Sequence, residues 1–284
     1  MTPLKLGVAL GRAHPAVHLE LALEAERLGF ESAWLPEHLV FPIEMAGSPF
    51  PGAQHPPVPP TTPVFDAFAY LAFLAGRTER LRLGTNVYLL GLRHPFVSAR
   101  AVQTLDVVSG GRAELGIGAG WLASEWRAAG LDFASRGRRL DEALAICKRL
   151  WSEPAVEHHG RFFDFPAVAF EPKPVQKPWP PVLVGGESEA ALRRAACHGD
   201  GWIGLEHSPE SARERVARLR ALRVEAGREA ARFEVAVGAG DPSRDELARY
   251  ADAGVTRVIA SPWQRSRDAV DALRRLADRA FGSR

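Results

Sequence analysis

The sequence predicts an α/β fold, an eight-stranded parallel (β/α)8 barrel with two insertions, from three observations. First, strand-like apolar segments and amphipathic helical segments alternate along the 284 residues. Second, there are eight such strand–helix pairs, the number found in a closed β/α barrel. Third, no linker-like segment divides the chain, so we expect residues 1–284 to form a single domain. A doubly wound sheet is the alternative, but it usually has fewer strands.

The predicted elements follow from local patterns. Short apolar runs predict strands at residues 4–10, 32–35, 81–87, 113–117, 182–184, 201–203, 233–237 and 257–260. Apolar residues at helical spacing predict helices at residues 15–28, 66–77, 95–108, 138–151, 189–198, 209–226, 244–253 and 267–280. The remaining long segments, 41–63 and 151–181, are predicted insertions, and a short hairpin is predicted at 157–165. Because segment 41–63 follows a strand directly, we expect it on the ligand-binding face.

Composition argues against several classes of protein. The chain has 36 Lys and Arg against 34 Asp and Glu, a net charge of +2, so charge does not indicate binding to nucleic acid or membranes. Cys147 and Cys197 lie in predicted helices without metal-type spacing, so we expect neither a disulfide framework nor a metal site. The first ten residues are too short and strand-like for a signal peptide, so a cytoplasmic location is expected.

A charged pair, Glu37 and His38, follows the second predicted strand directly. Catalytic groups of β/α barrels lie on the loops that follow the strands, so both residues are predicted to be catalytic. A histidine can exchange a proton near neutral pH or donate a hydrogen bond to a developing negative charge. The alternative is that His38 only caps the loop, in which case Glu37 and Glu125 are the next candidates for the proton partner.

Glycine-rich turns follow two other predicted strands. Gly118 and Gly120 come after the fourth strand, but they do not complete a dinucleotide-binding fingerprint, whose third glycine would fall at Trp121. Without side chains, they could let a ligand approach the backbone closely. Gly185 and Gly186 end the fifth strand just before a helix, where free N–H groups could bind a phosphate. The alternative is an ordinary helix-entry turn.

Two stretches, LRLGTNVYLLGLRHP at residues 81–95 and QTLDVVSGGRAELGIGAGW at residues 103–121, resemble the luciferase-like monooxygenase superfamily. They most resemble the branch that uses the deazaflavin coenzyme F420, and the likeness extends over residues 29–202. The resemblance implies a luciferase-like TIM barrel. It implies an oxidoreductase, a homodimer, that transfers a hydride between coenzyme F420 and an unidentified small organic substrate. Two alternatives stay open: an FMN-dependent monooxygenase that uses reduced flavin and O2, and a flavin-binding barrel without turnover.

The resemblance also implies a site. His38 would act in proton transfer beside the cofactor ring, and Glu37 stands where the family usually has an aspartate. A cis peptide bond would join Asn86 and Val87 against the back of the ring. The other residues that the resemblance implies in cofactor binding are Thr85 beside this bond, Gly118 and Gly120 where the ring needs space, and Gly185, Gly186, Gly204 and Leu205 around the phosphate. The pocket over the ring would be lined by Trp34, Trp121 and segment 41–63.

Overall fold

The computed structural model describes residues 3–50 and 52–282, so Pro51 of the first predicted insertion and the two residues at each terminus lie outside the described residues. The ten strands are β1 Lys5–Ala9, β2 Ser32–Leu35, β3 Arg82–Thr85, β4 Ala113–Ile117, β5 Val156–His159, β6 Asp164–Val168, β7 Val182–Gly185, β8 Gly201–Glu206, β9 Glu234–Ala239 and β10 Arg257–Ala260. Eight of them close a parallel barrel in the order β1-β2-β3-β4-β7-β8-β9-β10. The predicted barrel is confirmed, and β5 and β6 pair as the predicted hairpin.

Helices surround the barrel. They are α1 His18–Leu28, α2 Ala67–Ala75, α3 Pro95–Val108, α4 Ala123–Ala128, α5 Arg136–Ser152, α6 Glu189–His198, α7 Pro209–Glu225, α8 Arg244–Ala253 and α9 Ala269–Phe281. Eight agree with the predicted helices to within a few residues, and the structure shows serine side chains capping α6, α7 and α8. The exception is α4, which was not predicted because its six residues are too few to show a helical period.

Trp34 of β2 fills the interior of the barrel. Its indole is fully buried against Leu183 and Ile203, and its Nε1 donates a hydrogen bond to Ser32 Oγ at 2.9 Å. Gly84 of β3 leaves room for this ring, since a Cβ there would lie 2.5 Å from it. The prediction that Trp34 lines the pocket over a cofactor is therefore wrong, because the ring packs inside the barrel.

A cluster of charged residues closes the amino-terminal end of the barrel. At its centre, the guanidinium of Arg257 is fully buried and lies 2.5 Å from Glu114 Oε2 and 2.6 Å from Glu234 Oε1. We call this the basal ion-pair cluster; its members are Lys5, Glu31, Arg82, Glu114, Glu234 and Arg257. Since this end is filled, a ligand can approach the strands only from their carboxyl ends, as is usual for β/α barrels.

The hairpin of the second insertion is fastened to α5 by one carboxylate. Glu142 Oε1 accepts the backbone N–H groups of Phe162 at 3.0 Å and Phe163 at 2.9 Å, and it lies 3.1 Å from His158 Nε2. The hairpin thus has a fixed position on the outer layer of helices. Among the described residues, no helix is both long and apolar enough to cross a membrane.

Candidate active site at the carboxyl ends of the strands

The peptide bond between Asn86 and Val87, just after β3, is cis, as the resemblance implies. The chain here crosses toward β4: Tyr88 N–H donates to Gly116 O at 2.7 Å, and Gly118 N–H donates to Tyr88 O at 3.0 Å. Residues 86–88 therefore form a ledge at the carboxyl end of the barrel, with Val87 half-buried on it.

Two of the predicted cofactor-binding glycines make room for Val87. A Cβ on Gly118 would lie 2.5 Å from Val87 Cγ2, and a Cβ on Gly185 would lie 2.6 Å from Val87 Cγ1. Any larger residue would push Val87 from its place, because both distances are far below van der Waals contact. Gly118 and Gly185 thus support the ledge through packing.

Thr85 also supports the ledge. Its side chain is fully buried, and its hydroxyl donates to Gly116 O at 2.8 Å and accepts from Gly116 N–H at 3.1 Å. The hydroxyl is therefore engaged between β3 and β4. The hydroxyl of Thr85 is thus not free to bind a ligand, and contact of this residue with a cofactor stays a prediction.

His38 lies between the loops that follow β2 and β4. Its ring centroid is 4.4 Å from that of Phe41, the first residue of the first insertion, and 5.8 Å from that of Trp121. Its Nδ1 is 2.9 Å from Glu125 Oε2, whereas its Nε2 has no hydrogen-bond partner among the residues the structure describes. The side chain is 15% exposed, so His38 combines a fixed ring with an open nitrogen.

Glu125, on the unpredicted helix α4, holds both the ring and the backbone of the His38 loop. Its side chain has no exposed surface, and its Oε1 accepts the N–H groups of Leu39 at 2.6 Å and Val40 at 3.3 Å. The sequence indicated this residue only as an alternative proton partner. Glu125 and His38 are 87 residues apart in the chain, so no local sequence pattern indicates their contact.

Glu37 has a different environment from His38. Its buried carboxylate accepts Leu89 N–H through Oε2 at 2.9 Å and binds Arg93 Nη2 through Oε1 at 2.6 Å. Both oxygens are therefore committed to groups that hold the segment after the ledge. These contacts support an anchoring role for Glu37, and its catalytic role stays a prediction.

The candidate phosphate turn contains a carboxylate of its own. Glu187, directly after Gly186, accepts Leu205 N–H through Oε1 at 2.8 Å, and its Oε2 lies 3.1 Å from His207 Nε2 and 3.6 Å from Arg215 Nε. Burial raises the pKa of Glu187, but the hydrogen bonds from His207 and Leu205 outweigh it and hold that pKa below its ordinary value. An anion at this turn would therefore compete with Glu187 for the Leu205 N–H.

Backbone conformation or close packing favours glycine at the remaining three glycine positions of the predicted site, Gly120, Gly186 and Gly204. Gly120 and Gly186 have φ angles of 81° and 120°, which favour glycine. A Cβ on Gly204 would lie 2.3 Å from the ring of Trp202, whose Nε1 donates to Gly186 O at 2.9 Å. The residues around the ledge thus fit a flat ring packed on Val87, whereas a phosphate fits the turn if Glu187 gives up its hydrogen bond to Leu205.

The barrel, the cis bond and a histidine at the end of β2 define the class to which the protein belongs. The sequence model of the family described as luciferase-like monooxygenase matches residues 1–253. The chain therefore belongs to the luciferase-like monooxygenase family.

Known relatives and structures agree with this assignment. An uncharacterised protein of Mycobacterium tuberculosis is 34% identical over 244 residues, which cover 85% of this chain and 83% of that protein. The coenzyme F420-dependent tetrahydromethanopterin reductase of Methanopyrus kandleri superposes with a TM-score of 0.79 at 17% identity, covering 98% of this chain and 99% of that one. The monooxygenase RslO1 of Streptomyces bottropensis superposes with a TM-score of 0.78 at 21% identity, with the same coverage. These two structures show the fold.

Proposed function

We propose that this protein is an oxidoreductase that transfers a hydride between coenzyme F420 and a small organic substrate. The observation that carries the proposal is the ledge at residues 86–88 together with His38, whose Nε2 is open. An apolar side chain under a flat ring and a titratable side chain beside it are the two elements that hydride transfer with proton exchange requires from the protein.

The chain's residues have distinct proposed roles. Val87 supports the ring from below, Trp121 and Phe41 pack beside His38 and limit access of water, and Glu37 keeps the following segment in place. His38 Nε2 accepts or donates the proton that accompanies reaction of the substrate. When bound, the cofactor supplies the hydride chemistry.

Support for F420 comes from the motifs between residues 29 and 202, which most resemble the F420-dependent branch, and from the likeness to the reductase of Methanopyrus kandleri. An FMN-dependent monooxygenase that uses reduced flavin and O2 is the second candidate. The likeness to the Streptomyces bottropensis monooxygenase, with nearly the same TM-score, favours it. A barrel that binds flavin without turnover is disfavoured, because a site histidine held by a buried carboxylate is present.

Equilibrium titration of the purified apoprotein with coenzyme F420 and with FMN tests the proposal. Fluorescence of each cofactor, followed under identical conditions, should show tighter binding of F420. Tighter binding of FMN would move the protein to the monooxygenase alternative, to be followed by O2 consumption with reduced FMN. Binding of neither cofactor would overturn both assignments.

A further inference from the structure

The contact between Glu125 and His38 bears on which ring nitrogen carries the proton, as well as on the position of the ring. An ionised carboxylate can only accept hydrogen bonds, so beside ionised Glu125 the ring nitrogen at 2.9 Å from Oε2 carries a proton. In a neutral imidazole, a proton on Nδ1 leaves a lone pair on Nε2. The nitrogen that has no partner among the described residues is therefore the one able to accept a proton.

We propose that Glu125 is a positioning residue that fixes His38 in the Nδ1–H tautomer and so makes Nε2 the proton acceptor of the site. This inference rests on the proposed function, in which His38 exchanges a proton beside the cofactor. Glu125 acts only through His38 and the loop, because its buried carboxylate has no exposed surface with which to meet a substrate.

The two other contacts of Glu125 determine what an amide in its place would do. Oε1 accepts N–H groups from Leu39 and Val40, both of which need an acceptor. In Glu125→Gln, the amide oxygen would face these two donors, because the opposite orientation would point NH2 at N–H groups. The NH2 group would then face His38 Nδ1, which must accept. The ring proton would move to Nε2, and the acceptor of the site would be lost.

The chain contains a matched control for this substitution. Glu142 of α5 has the same kinds of partner as Glu125, although all three contact its Oε1: one histidine nitrogen, on His158, and two consecutive backbone N–H groups, of Phe162 and Phe163. It fastens the hairpin of the second insertion and takes no part in the ledge or the His38 loop. Glu142→Gln thus introduces the same chemical change away from the site.

Two readouts separate positioning from a merely structural role. The first is the ring 15N chemical shifts of histidine-labelled protein near pH 8, with the His38 signals assigned by their loss in His38→Gln. Wild type and Glu142→Gln should show the proton of His38 on Nδ1, and Glu125→Gln should show it on Nε2. The second is single-turnover hydride transfer, which Glu125→Gln should slow by roughly 10²-fold or more while cofactor affinity is unchanged.

A conservative variant keeps the test decisive if Glu125→Gln does not fold. Glu125→Asp retains an acceptor-only group, so it should keep the Nδ1–H tautomer and a larger part of the rate. An unchanged tautomer in Glu125→Gln, or a proton on Nε2 in wild type or Glu125→Asp, would overturn the inference. An equal loss of rate in Glu142→Gln would also overturn it. Because the 15N measurement needs no cofactor, its outcome is independent of whether the proposed function is correct.

Discussion

At the scale of residues, the candidate site depends on contacts between side chains that are far apart in the sequence. His38 and Glu125 are 87 residues apart, and Glu37 and Arg93 are 56 apart. Adjacent residues have different environments as a result: Glu37 has both oxygens occupied, whereas one nitrogen of His38 has no partner among the described residues. The partner of each side chain, more than its position at a strand end, indicates what it can do.

Replacing His38 should separate binding from chemistry. His38→Ala removes the only proposed proton acceptor, so the hydride-transfer step should slow by roughly 10²–10⁴-fold. Cofactor affinity should change far less, since the ledge and the candidate phosphate turn are intact. His38→Gln, which can donate a hydrogen bond but cannot titrate, should lie between. The measurement is single-turnover kinetics with a substrate found by screening; a near-wild-type rate in His38→Ala would make His38 a loop residue.

Removing the charge of Glu187 should favour a phosphorylated cofactor. FMN and riboflavin differ in the phosphate, so titrating both isolates the effect of the turn. In Glu187→Ala, FMN should bind about tenfold more tightly, which is ~1.4 kcal/mol, because its phosphate no longer competes for Leu205 N–H. Riboflavin should bind as it does to wild type. Weaker FMN binding with unchanged riboflavin binding would show that Glu187 assists the phosphate site.

At the scale of elements, the ledge is a packing arrangement between β3, β4 and β7. Val87 occupies space left free by two glycines, Gly118 just after β4 and Gly185 at the end of β7. Packing around Val87 therefore accounts for the glycines at these positions without a ligand. The same packing forms the surface on which a ligand could bind.

A substitution at Gly118 tests this packing. In Gly118→Ala, the new Cβ would collide with Val87 Cγ2, and the overpacking should lower the free energy of unfolding by about 1–3 kcal/mol. The double variant with Val87→Ala removes the colliding methyl groups and should recover most of the loss. Urea denaturation of the two single variants and the double variant gives the coupling energy. Additive effects would mean that the two residues do not share this space.

At the scale of the whole molecule, the two ends of the barrel have different chemistry. The amino-terminal end is filled by the basal ion-pair cluster, and the carboxyl end carries the ledge and His38. Burial raises the pKa of Glu114, but the positive charges of Arg257 and Arg82 outweigh it and hold that pKa at about 2. Glu114 thus stays ionised at neutral pH beside Arg257 and Arg82, and the cluster closes the barrel below Trp34.

Breaking this cluster should destabilise the protein in a pH-dependent way. Glu114→Gln leaves a buried guanidinium short of one partner, so the free energy of unfolding at pH 7 should fall by about 3–5 kcal/mol. Because the pKa of Glu114 is lower in the folded than in the unfolded chain, its contribution is complete above about pH 4.5 and is lost as the pH falls toward 2. Urea denaturation of wild type and variant from pH 7 to pH 3 should therefore show a shrinking difference. A constant difference would contradict the assignment.

Much of the fold could be predicted from local sequence patterns. The eight barrel strands and eight of the helices follow from apolar periodicity, which depends on residues close together in the chain. The strand-end position of His38 follows for the same reason. The cis bond at Asn86 was implied by resemblance, since no local pattern distinguishes it.

The sequence by itself thus determined the barrel and the loops on which a site must lie, and the tertiary structure decided which side chains make up that site. Closing the barrel brings Glu125 against His38, Arg93 against Glu37 and Trp34 into the interior. Periodicity depends on near neighbours in the chain, so it can be recognised in one sequence. Side-chain partners are selected by distance in space after eight strands have closed on one another, and that distance is not encoded in any local pattern.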